Sequence, residues 1–89
     1  MKRSDRIRLD EAVALRPERF GALGYSYRDR RLFFIDQRLL PFVDSAGARP
    51  LGEIADELTA RGQLAEDAVP GLMAVLEGLR RQGVVHVVV

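Results

Sequence analysis

Apolar positions in this chain change period part-way along. Between residues 13 and 35 they recur every second residue, and from Leu39 onward every third or fourth. Period two marks strands and period 3.6 marks helices. Val13 and Leu15 alternate with Ala12, Ala14 and Arg16, which predicts a short first strand. Pro17 lacks a donor and ends that strand or confines it to an edge. Residues 20–27 read as a second strand, Arg28, Asp29 and Arg30 as a turn, and residues 31–35 as a third strand. A two-residue loop sets Tyr25 opposite Leu32 and Leu23 opposite Phe34, and moving the loop by one residue keeps the same side chains together. The expected core face is therefore Leu23, Tyr25, Leu32 and Phe34. The other face carries Ala22, Gly24, Ser26, Phe33 and Ile35, whose small members leave room for another element to approach.

Three helices follow. Asp36 is a plausible N-cap for a short first one, striped by Leu39, Leu40 and Val43 and interrupted or ended by Pro41. Residues 45–50 are a loop. Leu51, Ile54, Ala55 and Leu58 fit the spacing of an amphipathic second helix that Gly62 stops. Asp67 caps the third, with Pro70 in its first turn and Gly83 at its end. On that helix Val69, Leu72, Met73, Val75, Leu76 and Leu79 cover an arc of about 160°, wider than the roughly 100° one partner needs. The edge formed by Leu72, Val75 and Leu79 is thus a candidate for a second contact. Residues 84–89 (VVHVVV) are β-branched apart from His86 and predict a terminal strand. Residues 1–11 read as a flexible tail and 12–89 as a single domain. The fold class is α+β: an N-terminal three-stranded antiparallel sheet followed by three helices, with a short C-terminal strand, like a winged helix-turn-helix.

Composition narrows the function more than the fold. With 89 residues there is room for one core and little for a deep catalytic pocket. Cysteine is absent, which removes disulfides, thiolate zinc sites and cysteine nucleophiles, and fits a cytoplasmic protein. No apolar run is long enough to span a bilayer, and Ser4, Asp5 and Arg6 interrupt what could have been a secretory signal. His86 is the only histidine, so neither a multi-histidine metal site nor a histidine relay can form. A structural role suits it better. Glu53, Asp56 and Glu57 flank an apolar stripe and read as a solvated face. The glycines form no phosphate-binding loop. The chain is expected not to be an enzyme and to hold no cofactor and no metal.

The rival reading is a winged-helix DNA-binding regulator, since two helices and a hairpin are also its parts. Charge argues against it. The net charge is +1, the third helix is approached through Glu66 and Asp67, and Arg80 and Arg81 sit at its far end. That pattern repels a polyanion.

The segments PLGEIADELTARG and VPGLMAVLEGLRRQGVV, placed after three short strands, resemble the pyrroloquinoline quinone chaperone-like family, the precursor-peptide recognition elements of ribosomally made, modified peptides. VALRPERFGALGYSYRDRRLFFI is more specific and looks like the opening of the mycofactocin biosynthesis chaperones. The resemblance implies a non-catalytic chaperone. It would bind the leader of a precursor peptide and present it to a radical S-adenosylmethionine enzyme that acts on the precursor's C-terminal Tyr and Val. It also implies that the leader adds beside the third strand and lies in a groove against the third helix. On this sequence the strand is Arg31, Leu32, Phe33, Phe34 and Ile35, and the helix wall is Leu72, Val75, Leu76 and Leu79.

The residues themselves lead to a similar place. The last strand of a meander keeps one free edge, which can take a guest strand unless residues 84–89 cover it. Arg30 and Arg31 at the mouth of such a groove are expected to meet acidic leader residues. Proline at Phe33 should abolish binding if that N–H faces the guest, and should damage the fold if it faces the second strand; Phe34→Pro is the paired control. The valine-rich end could close the sheet, pair across a dimer or compete for the groove. Expected partners are a precursor leader and a radical S-adenosylmethionine enzyme, with no nucleic acid and no membrane, in a monomer or weak homodimer. A recognition domain detached from another peptide-modifying enzyme is a third reading.

Overall fold

The period-two segment folds as an antiparallel meander in a computed structural model that describes residues 1–89. Numbering strands along the whole chain, its members are β2 (Val13–Glu18), β3 (Gly21–Ser26) and β4 (Arg31–Asp36), and β3 lies between the others. The register is the predicted one, with Tyr25 opposite Leu32 and Leu23 opposite Phe34. Residues 27–30 make the turn, and Arg30 closes it in the left-handed region at φ 56°.

The two faces are the reverse of the expectation. Ala22, Gly24, Ser26 and Ile35 are buried and Phe33 is half-buried, whereas Leu32 is 66% and Phe34 57% exposed. Leu23, Tyr25, Leu32 and Phe34 form the outer face and not the core face. Gly24 supplies the reason. It pairs with Phe33, and a Cβ at position 24 would lie 2.2 Å from Cε2 of that ring. The ring therefore rests on bare backbone, and the sheet stays thin on the side the helices cover. Four large side chains on that side would hold the helices away.

The N-terminal segment is also not the free tail expected. Its residues Ile7–Leu9 form β1, which pairs antiparallel with β5 (Val85–Val87) in a separate two-stranded sheet. Ile7 is completely buried, which contributes on the order of 2 kcal/mol. The main chain just before β1 has a further task. The carbonyls of Arg3 and Asp5 accept the N–H groups of Gly52 and Leu51, two of the donors that a helix start leaves unpaired. The C-terminal strand thus exists as predicted, but β1 takes it up, so it neither closes the meander nor occupies β4.

The helical half follows the sequence closely. After β4 the chain makes a 3-10 turn over Gln37–Leu39, and Asp36 caps it by accepting the N–H of Arg38 at 2.8 Å. Helix α1 spans Leu40–Val43, and Pro41 sits in its first turn, where a missing donor costs nothing. Helix α2 spans Leu51–Ala60 and stops before Gly62, whose φ is 72°. Helix α3 spans Val69–Arg81, again with proline in its first turn. Asp67 does not cap it; the residue lies in a 3-10 turn that leads into the helix. One core joins Ile7, Ile35, Phe42, Leu51, Leu76 and Val85, so both sheets and all three helices meet there.

The α+β class holds, but likeness to a winged helix-turn-helix is not supported. Here the three-stranded sheet precedes every helix, and a second sheet ties the two ends of the chain together. One test of this packing is simple. A Cβ at Gly78, inside α3, would meet nothing within 4 Å. Gly78→Ala should therefore stabilise the domain by about 0.5–1 kcal/mol, seen as a Tm higher by roughly 2–8 °C.

Candidate functional site

The meander has two edges, and they differ in what they can offer a further strand. Hydrogen-bonded pairs alternate along an antiparallel ladder. The N–H of Gln37 donates to the carbonyl of Phe20 at 3.1 Å, so with the register of β3 and β4 the bonded pairs continue through Ile35, Phe33 and Arg31. The main-chain groups of Leu32, Phe34 and Asp36 consequently point away from β3. No further strand pairs with them, because β4 has only one neighbour.

The β2 edge is blunted. Tyr27 N–H donates to Ala12 C=O at 2.8 Å, which by the same alternation turns Val13, Leu15 and Pro17 outward. Val13 N–H is already used by the carbonyl of Asp10 at 3.0 Å, and Pro17 has no N–H. Leu15 is left as the single outward donor. Edge strands are commonly protected in this way, and here only one of the two is.

The residues named from sequence fall into four groups around the open edge. Ile35, Leu72 and Leu76 are sealed in the core, at 1%, 6% and 0% exposure. On α3 only Val75, at 47%, and the half-buried Leu79 reach the surface of the proposed wall. None of the principal hollows on the molecule is lined by both β4 and α3. Arg31 is engaged by its own chain, donating to the carbonyl of Gln82 at 3.0 Å and pairing with Asp29 at 3.1 Å. That contact joins the start of β4 to the end of α3, and by helical spacing Gln82 continues the stripe of Val75 and Leu79. Arg30 makes no ion pair.

Leu32 and Phe34 lie instead on the outer face of the meander. There Leu23, Tyr25 and Leu32 help to line a shallow hollow of about 300 Å³. The rings of Tyr25 and Tyr27 meet edge to face at 4.8 Å. A second hollow, with Phe20, Leu23 and Phe34 in its wall, adjoins it, and the guanidinium of Arg19 lies 5.3 Å from the Phe20 ring centre. This exposed apolar face is visible in the sequence as a set of alternating large residues, whose size points to the core.

A polar junction fixes the hairpin that carries β4. Asp10 is buried, and Nε2 of His86 donates to its Oδ1 at 2.5 Å. Its other oxygen accepts the N–H of Ala12 at 2.9 Å, and Arg28 from the hairpin turn approaches at 3.3 Å. No local pattern could reveal this cluster, because its members come from residues 10, 12, 28 and 86. His86 thus has the structural role expected of it. The bond from His86, then that from Ala12, hold the Asp10 carboxyl at about 2, below its ordinary 3.8. Arg80 holds Glu77 at about 2 in the same way, below 4.5.

A carboxylate whose folded value is depressed stabilises the fold fully above its unfolded value, and that contribution is lost as pH falls toward the folded one. Urea midpoints should therefore be insensitive to Asp10 and Glu77 above about pH 4.5 and fall steadily toward pH 2. In Asp10→Asn the lower part of that fall should become shallower.

The carboxylates of α2 are partnered. Glu53 and Glu57 pair with Arg49, Glu57 also with Arg61, and Asp56 with Arg3. At such exposure water screens each pair, so they add little to stability. No helix is long and apolar enough to cross a membrane.

A family model described as the peptide chaperone MftB family matches residues 6–86. Neither the curated proteins nor the solved structures give a match.

Proposed function

The chain belongs to the peptide chaperone MftB family, and on that premise we propose a specific role for its open edge. The protein is a non-catalytic chaperone that holds the leader of a ribosomally made precursor peptide as a strand added beside β4. It presents that peptide to a radical S-adenosylmethionine maturase, in mycofactocin biosynthesis. The observation that carries this reading is the inequality of the two sheet edges: one keeps only Leu15 as an outward donor, because Pro17 has no N–H and Asp10 takes that of Val13, and the other is open along Leu32 and Phe34.

A strand on β4 would run beside the surface of α3 that Val75 and Leu79 provide, with Ile35, Leu72 and Leu76 supporting it from below. Arg30 stands unpaired at the turn end, where an acidic leader residue could meet it, while Arg31 anchors strand to helix. The main chain alone is not enough to bind. About four hydrogen bonds, each worth roughly 1 kcal/mol net, fall short of or barely match an association cost of about 4–15 kcal/mol. Side-chain contacts must supply the remainder.

The test compares a mycofactocin-type precursor peptide with duplex DNA, both titrated at physiological salt. It also compares maturase turnover on that peptide with and without the chain. Peptide should bind, DNA should not, and turnover should rise when the chain is added. Failure of the peptide to bind would remove the reading.

A further inference from the structure

A strand added to β4 has its side-chain directions fixed by the residues it pairs with. The residues whose main chains face the open edge, Leu32 and Phe34, also carry their side chains on the outer face. Residues directly opposite one another share a face. Every guest residue bonded across from Leu32 or Phe34 therefore lands on the outer face, continuing the cross-strand rows Tyr25–Leu32 and Leu23–Phe34.

Resting on the strand-addition reading, we propose that this outer face, rather than the helix wall, selects the guest. It takes a segment with apolar or aromatic side chains two residues apart and acidic residues beside them. Three observations converge. Exposure is the first: Leu32 and Phe34 are more than half exposed, while Leu72, Leu76 and Ile35 are sealed and only Val75 and the half-buried Leu79 of the wall remain at the surface. The second is charge. Residues 13–36, the meander, contain five arginines and three carboxylates, a net +2, in a chain whose total is only +1. The meander is thus a cationic unit on an otherwise acidic molecule, which suits an acidic partner. Arg19, in the loop before β3, and Arg30, in the turn before β4, lie at opposite ends of the meander without a carboxylate of their own, and Arg19 shares a hollow with Phe34. The third is continuity. The open edge and the apolar face share the same two residues, so one guest strand satisfies both.

Affinity of the Leu32→Ser/Phe34→Ser double variant for the precursor peptide tests this. Both side chains are exposed, so the fold should survive, and the single Leu32→Ser variant carries the test if the double one melts early. The double variant should bind about tenfold more weakly, with the peptide at saturation still protecting the amides at positions 32 and 34. Val75→Ser should change affinity less, and alanine scanning of the peptide should find sensitive positions two residues apart. If wild-type amides 32 and 34 are protected by peptide but the double variant binds within twofold of wild type, strand addition stands and this inference falls. If peptide leaves those wild-type amides unprotected, both fall. A peptide-free dimer that buries Leu32 and Phe34 would also overturn it, because a second copy would then be the occupant.

Discussion

Phe34→Pro should weaken peptide binding on the order of a hundredfold in a domain that stays folded, and Phe33→Pro should remove a large part of the domain's stability. The two positions are neighbours of similar chemistry, so only the direction of the backbone separates them. The N–H of Phe33 belongs to the ladder with β3, and its ring rests on Gly24. Proline there removes an interior hydrogen bond and a half-buried ring, a loss of about 3–5 kcal/mol. A domain of this length has roughly 5–13 kcal/mol in total.

The N–H of Phe34 points outward and has no partner within the chain. The fold already tolerates a proline in the matching situation, since Pro17 in β2 faces its own edge opposite Ala22. At position 34 the ring would remove a donor and obstruct the guest. A guest carbonyl left unpaired costs about 1–3 kcal/mol, and with the steric block binding should weaken on the order of a hundredfold. Thermal melts and peptide titrations of the two variants check this. Equal loss of stability in both would mean that the ladder assignment is wrong.

Gly21→Ala should be the most damaging small substitution in the sheet. A Cβ there would lie 2.0 Å from the carbonyl oxygen of Ile35 and 3.0 Å from the nitrogen of Gln37, and the residue's φ is +153°. Both obstacles are backbone, so neither can rotate aside. Relief requires β4 to move off β3 at the end where Gln37 bonds to Phe20, and the expected loss is about 3 kcal/mol or more. That corresponds to a Tm lower by at least roughly 12 °C. Gly62→Ala is the contrast. Its φ is 72°, but nothing lies within 4 Å, so only the conformational cost of about 1 kcal/mol applies. If Gly21→Ala melts no earlier than Gly62→Ala, the close approach of β3 to β4 is not as described. Because Gly21 holds β4 in line, its alanine variant should also bind peptide less well, unlike Gly62→Ala.

Much of the architecture was legible in local pattern. Tyr25 opposite Leu32, the cap at Asp36, the apolar stripe of α2 and the stop at Gly62 all follow from spacing and turn chemistry. What local pattern could not decide was which face of the hairpin turns inward. Both faces are apolar, and size pointed to Leu23, Tyr25, Leu32 and Phe34. The structure turns inward the face whose glycine makes room for Phe33. The difference bears on the proposed function, because it leaves Leu32 and Phe34 exposed on the outer face. Strand β1 was missed for a different reason. Three residues in a basic segment carry little signal, and the strand that makes them ordered lies at residues 85–87, at the far end of the chain. The same distance hid Asp10 with His86.

Amide hydrogen exchange along β4, with and without the precursor peptide, tests the central claim most directly. In the free chain Leu32 and Phe34 should exchange quickly while Phe33 and Ile35 are protected, and saturating peptide should slow Leu32 and Phe34 specifically. Slow exchange at Leu32 and Phe34 before peptide is added, or fast exchange that saturating peptide leaves unchanged, would contradict it.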